Sequence, residues 1–241
     1  MIFTLKSIRE ALTVNSRLKF VQSLLGQDCV LCGANSGANM LCPACHAGLP
    51  RIKPACPRCA APSDGQVCGA CLQHPPAFER ARTALDYTFP ADKLIQALKY
   101  THQLALARLL GEILSTAVQD QPRPDWILPM PLHPARLRER GFNQAHEIAK
   151  ILAKKLSLPL APALATRAVN TPPQAALALD ARQKNVKGAF VCQADVKGRH
   201  IALVDDVMTS GATLNELAKT LKQGGAHEVS VWVVARAIAH R

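Results

Sequence analysis

The sequence predicts an α/β fold, a parallel sheet flanked by helices, with a small N-terminal module organised by cysteine-ligated zinc. Three observations predict it. Four C-x2-C pairs crowd into residues 29–71. Beyond Pro75-Pro76 the hydrophobic pattern alternates between strand-like runs and helical stripes, as parallel sheets require. One apolar run ends in paired aspartates, then a small-residue loop, then a helix, and ligands of such sheets bind at the carboxyl ends of strands.

The 241 residues, half of them apolar, suffice for one substantial core plus a small module. Mean hydropathy near zero argues against disorder. No apolar run approaches the roughly 20 residues that span a bilayer. Residues 1–28 read as an amphipathic helix, with Ile8, Leu12, Leu18, Val21 and Leu25 on one side and Lys6, Arg17 and Lys19 among them. The charges interrupt any secretory apolar core. A cytoplasmic location is expected, and the inner face of the membrane is the second place such a helix suits.

Residues 29–76 form the expected zinc module. Cys29-Val-Leu-Cys32, Cys42-Pro-Ala-Cys45, Cys56-Pro-Arg-Cys59 and Cys68-Gly-Ala-Cys71 are separated by nine, ten and eight residues. Two residues between cysteines let one tight turn aim both thiolates at one metal, and two turns close a four-cysteine site. The block is too poor in large apolar residues for an ordinary core, so metal binding supplies the folding energy. A disulfide framework would want a secretory route, and redox C-x2-C motifs usually occur singly. The short gaps favour two sequential quartets over an interleaved arrangement. With all eight ligands cysteine and no open position, both sites read as structural. His46 and His74 read as solvated neighbours, and Cys192 as a small buried apolar residue.

The net charge of +12 must be corrected for these sites. Eight thiolates and two divalent cations lower it by four, to +8, which still favours anionic partners. No aromatic residue lies between Phe20 and Phe78. That weighs against base stacking within the zinc module, although backbone contacts to nucleic acid stay open.

Residues 80–241 carry the larger domain. Strands are expected at Arg82–Thr88, Trp126–Leu132, Ile201–Asp205 and Glu228–Ala235. Helices are expected at Asp92–Leu114, from an N-cap at Asn143 to Leu156, and at Gly211–Lys222, the last stopping at Gly224-Gly225. The stretch Ile201-Ala-Leu-Val-Asp205-Asp206-Val-Met-Thr209-Ser210-Gly211-Ala212-Thr213 concentrates the chemistry. The helix start offers unpaired amides and a positive dipole end to a phosphate. Gly211 and Ala212 permit close backbone approach, and Thr209, Ser210 and Thr213 add hydroxyl donors. Two carboxylates beside such a cradle suit a sugar phosphate whose hydroxyls need acceptors. No P-loop lysine is present.

This stretch resembles the signature of type I phosphoribosyltransferases for 5-phosphoribosyl-1-pyrophosphate (PRPP). The resemblance implies that Asp205 and Asp206 hold the ribose, directly or through magnesium, and that Thr209 through Thr213 hold the 5′-phosphate. Three further stretches are similar to the ComF/GntX family, a double zinc ribbon joined to a phosphoribosyltransferase-like domain. They are Pro129-Met-Pro-Leu-His133-Pro-Ala-Arg136-Leu-Arg138-Glu-Arg140-Gly-Phe-Asn143-Gln144, Lys99-Tyr100, and a segment running from Arg167 through Pro172-Pro173-Gln174, Arg182 and Asn185 to Gly188-Ala-Phe190. The first would be a pyrophosphate loop, with Arg136, Arg138 and Arg140 as ligands to oxygen. The last would be a mobile cover contributing Lys187 or Arg182.

The resemblance implies a PRPP-binding protein acting in DNA uptake or utilisation, with single-stranded DNA and helicase components of that pathway as partners. Two alternatives stand beside it. One is an active, magnesium-dependent phosphoribosyltransferase of nucleotide metabolism with an unassigned acceptor. The other is a non-catalytic protein that binds single-stranded DNA. Fold alone does not choose between them.

Overall fold

The computed structural model describes residues 26–51, 54–170 and 186–237. Residues 1–25 of the expected N-terminal helix therefore lie outside the described residues, as do Pro172, Pro173, Gln174, Arg182 and Asn185. The chain divides into two compact units between Leu49 and Pro50. The division falls inside the cysteine-rich block, so the second cysteine quartet belongs to the same unit as the sheet.

The first unit contains a two-stranded antiparallel ribbon, β1 (Gln27–Asp28) and β2 (Asn35–Gly37), followed by the short helix α1 (Pro43–Ala47). The second unit opens with the second quartet and its helix α2 (Gly69–Gln73). Then come β3 (Arg80–Asp86), α3 (Ala91–Tyr100), α4 (Ala105–Val118), β4 (Trp126–Pro129), α5 (Pro134–Arg140) and α6 (Gln144–Leu156). A small antiparallel pair, β5 (Ala165–Arg167) and β6 (Phe190–Cys192), precedes β7 (His200–Met208), α7 (Ala212–Gln223) and β8 (Glu228–Arg236). The main sheet runs β3-β8-β7-β4 and every pairing in it is parallel.

Side chains alternate across the sheet, so β7 feeds two cores. Ile201 and Leu203 pack with Leu214, Leu217, Ala218 and Leu221 of α7. Ala202, Val204 and Asp206 point to the opposite face. Buried Val229, Val231 and Val233 of β8 join the α7 core, which also takes in Ala60 and Phe78.

Several expected elements need correction. The helix expected over Asp92–Leu114 is two helices. Thr101 caps the first, its hydroxyl donating to the Ala97 carbonyl, and His102 turns the chain at φ 55°. The apolar stripe continues across the break, which is why periodicity alone reads it as one. The strand expected to end at Asp205 runs on to Met208, because β8 accompanies it to Arg236 and the Ala237 amide donates to the Met208 carbonyl. The strand expected to reach Leu132 stops at Pro129, although the Met130 amide still donates to Val204. The segment expected as a pyrophosphate loop contains a helix. Pro134 sits at its start and the His133 ring nitrogen accepts from the Ala135 amide. Asn143 does cap α6, accepting from the Ala145 and His146 amides.

Candidate functional site

The cysteines converge as two sequential quartets. The sulfurs of Cys29, Cys32, Cys42 and Cys45 lie within 4.8 Å of one another, and so do those of Cys56, Cys59, Cys68 and Cys71. Both quartets use one local design. The Cys29 amide donates to Ala34 and the Gly33 amide returns to Cys29, while the Cys56 amide donates to Ala61 and the Ala60 amide returns to Cys56. The residue after each second cysteine takes positive φ, Gly33 at 73° and Ala60 at 53°. The later cysteines, Cys42 and Cys68, each stand just ahead of a short helix.

Four thiols this close cannot all ionise without a cation. The Cys42 amide draws Cys29 down to about 6, while the Cys32 and Cys42 thiols push Cys45 up to about 12. Burial raises Cys56, but the amides of Cys68, Cys59 and Arg58 outweigh it and bring it to about 7. Burial and the neighbouring Cys59 hold Cys71 far above its ordinary value. A divalent metal relieves this conflict, and a closed set of four sulfurs fits zinc. These are two four-cysteine zinc-ribbon sites. His46 and His74 are exposed and lie outside both quartets.

The second cluster of chemistry sits at the carboxyl end of β7. Adjacent positions on a strand face opposite ways, so Asp205 and Asp206 straddle the sheet. Asp206 is sealed. Its side chain is 4% exposed and pairs at 2.7 Å with Lys99, from the last turn of α3. Burial pulls the Lys99 ammonium down, but Asp206 and then Asp205 outweigh it, and the net shift is upward. Asp205 lies on the α7 side and is partly buried. Burial, then the Asp206 charge, pushes its carboxyl up to about 8 against the pull of Lys99. One Asp205 oxygen accepts from the Asp206 amide at 2.8 Å, while Asp206 is paired with Lys99.

Three residues, Thr209, Ser210 and Gly211, connect β7 to α7. Gly211 caps the helix at φ 80°, where a β-carbon would be strained and would meet Met208 sulfur at 3.5 Å. Having no side chain, Gly211 leaves the first-turn amides of α7 to other acceptors, apart from Ala212, whose amide donates to the Ser210 hydroxyl. A helix of this length with such a start favours an anion.

The arginines separate by helical geometry. Arg136 and Arg140 stand one turn apart on α5, and Arg138 lies exposed on another face. Arg136 pairs with Glu139 at 2.8 Å, and Arg140 donates to Gln144. Burial lowers the Arg167 guanidinium, with Asp205 opposing and Arg136 adding to that shift. Asp205, Arg167 and Arg136 thus share one electrostatic neighbourhood. Lys187 is exposed on the turn before β6, where the Gly188 amide donates to Glu216 of α7 at 2.7 Å. Cys192 lies in a strand, partly buried, its thiol donating to Ala194.

Comparison with known proteins agrees with this architecture. A family model described as a double zinc ribbon domain matches residues 20–72, and one described as a phosphoribosyl transferase domain matches residues 143–241. The chain is 34% identical over 206 residues to DNA utilization protein YhgH of Escherichia coli (strain K12), covering 82% of this chain and 91% of that protein. It is 34% identical over 222 residues to Competence protein F of Haemophilus influenzae, covering 87% and 96%. The chain belongs to the ComF family. A more distant relative, Competence protein ComFC of Bacillus subtilis, is 27% identical over 212 residues, covering 81% of this chain and 84% of that protein.

Within this ComF chain, sequence reasoning gave no role to three side chains that interact with β7: Lys99 with Asp206, Arg167 with Asp205, and Arg236 with the Met208 carbonyl. Lys99 was visible only as part of a resemblance, and Arg167 only as the start of a segment. Arg236 went unread, although a charged residue closing the apolar run Val229–Ala235 was a signal for a buried polar contact.

Proposed function

We propose that the chain binds PRPP, or a closely related phosphosugar, with magnesium at the carboxyl end of β7. The observation that carries this reading is Asp205, a partly buried carboxyl held up to about 8, beside a helix start left without a side-chain cap. Asp205 would accept from the ribose hydroxyls or hold magnesium, whose preference for hard oxygen donors it fits. Magnesium would neutralise charge on the pyrophosphate. Thr209 through Thr213 would take the 5′-phosphate, and Asp206, fixed by Lys99, would position its neighbour. Of the basic residues, Arg136 and Arg167 have the best electrostatic claim on the leaving group. Arg138, Arg140 and Lys187 rest on the family resemblance alone.

If transfer follows, the bond from the anomeric carbon to pyrophosphate oxygen breaks and a bond to the acceptor forms, with the acceptor losing a proton. Positive charge grows on the sugar in such displacements, and Asp205 would stabilise it electrostatically. The names of the relatives support a place in DNA utilisation or competence. Single-stranded DNA and helicase components are the macromolecular partners that this reading implies. Thiolate zinc sites and a PRPP pocket both suit a reducing cytoplasm.

The test is calorimetric titration with PRPP and magnesium. Replacing both Asp205 and Asp206 by Asn should abolish magnesium-dependent binding, with Asp205→Asn alone accounting for most of the loss. The pH dependence adds a second readout. The Asp205 carboxyl is raised from its ordinary 3.8 to about 8. The free chain is thus stabilised at low pH and loses that contribution as pH rises through this window. Binding a cation near pH 7 must expel the proton, so roughly one proton should be released per site in wild type and none in Asp205→Asn. Unchanged affinity in the variants would remove the assignment. Pyrophosphate release with candidate acceptors then separates an enzyme from a binding protein.

A further inference from the structure

Arg236, the last residue of β8, joins Cys59 and Thr209, which lie 177 and 27 residues before it in the chain. Its Nε donates to the Cys59 carbonyl at 3.1 Å. Its Nη1, with two N–H groups, is shared among the carbonyls of Met208 at 3.1 Å, of Ala237 at 2.6 Å, and of Thr209. Cys59 is a ligand of the second zinc quartet, and Met208-Thr209 is where β7 becomes the loop in front of α7. A guanidinium is a rigid planar fork, so these acceptors are held in fixed relation to one another.

The peptide bond converts that fixation into a direction. In a trans peptide the carbonyl and the following amide point opposite ways. With the Met208 and Thr209 carbonyls turned toward Arg236, the Thr209 and Ser210 amides are turned away from it, outward from the zinc ribbon. Two further contacts brace the same junction. The Ala77 amide, just past the ribbon, donates to Asn215 Oδ1 of α7 at 2.7 Å, and Ala60 is buried in the core that contains Met208.

We infer that Arg236 is a positioning residue for the 5′-phosphate, setting the amide directions of the Thr209–Ser210 loop from a footing on the second zinc ribbon. The ribbon thereby belongs to the construction of the ligand site. This inference rests on the proposed binding of a phosphorylated ribose at that loop.

The experiment compares the full-length zinc-loaded chain with Arg236→Met and Arg236→Lys. Titrations use ribose 5-phosphate and, separately, magnesium pyrophosphate; zinc content and the melting transition are followed alongside. Arg236→Met should bind ribose 5-phosphate roughly tenfold or more weakly, since buried carbonyls lose their donor and the loop its constraint. Pyrophosphate affinity should be unchanged and two zinc ions retained. Arg236→Lys, which keeps a charge but not the fork, should fall between. Should Arg236→Met fail to fold, the Lys variant carries the same contrast between the two ligands. Unchanged ribose 5-phosphate affinity, or an equal loss for both ligands, would overturn the role of Arg236 while leaving the site intact. Wild-type protein that binds neither ligand would overturn the site and this inference together.

Discussion

Lys99→Met is expected to lower the stability of the sheet domain by about 3–5 kcal/mol, the usual cost of breaking a buried ion pair from one side. The pair qualifies as buried: the side chains are 18% and 4% exposed and meet at 2.7 Å. Methionine keeps most of the stem's packing, so the loss isolates the charge. Asp206 would remain inside the protein with one oxygen accepting from the Val207 amide at 2.7 Å and no cation for the other. Adding Asp206→Asn should recover most of the loss, because an amide is far cheaper to bury than an unpaired charge. Urea unfolding, with unchanged slope, measures both quantities. A deficit below about 1 kcal/mol in the single variant would mean that the pair behaves like a surface contact. The double variant also separates stability from ligand binding, since it restores the fold while removing the device that positions Asp205.

What the sequence made legible was local. Two residues between cysteines, and eight to ten between pairs, fix which sulfurs can meet, and the quartets formed in chain order. Asn143 announced its cap because capping is decided within three residues. The strand–loop–helix at Ile201–Thr213 was readable for the same reason. The misjudged features depend on partners distant in the chain. β7 reaches Met208 only because β8 runs beside it. Lys99 acquires a role only once α3 ends against the face of β7 that carries Asp206. The separation of the two aspartates to opposite faces was implicit in a two-residue period. It was masked by reading them as the end of the strand, when two further strand residues follow. The arginines of α5 read as an alternating row, and a helix redistributed them.

Cys56→Ser combined with Cys59→Ser should remove one zinc ion per chain and abolish the cooperative unfolding transition of the sheet domain. Cys29→Ser with Cys32→Ser should remove one zinc ion and leave that transition in place. The two quartets share a design, but they sit in different units of the chain. The Cys56 quartet is continuous with the sheet's core. Ala60 is 1% exposed within it, the Ala81 amide of β3 donates to the Pro57 carbonyl, and Arg236 of β8 donates to Cys59. Structural zinc contributes about 10–16 kcal/mol to ribbons that are unfolded without it, while a whole domain is stable by only about 5–15 kcal/mol. Losing this site therefore removes as much free energy as the domain has to spare. It also releases Ala60 and the Arg236 acceptors from their places. The Cys29 quartet belongs to the other unit, which ends at Leu49. Zinc content by absorption spectroscopy, and melting followed at Trp232, buried in β8, distinguish the two outcomes. Equal loss of the transition in both variants would show that the two ribbons fold as one body with the sheet. Survival of the transition without the second zinc would show that Arg236 is anchored by the sheet alone.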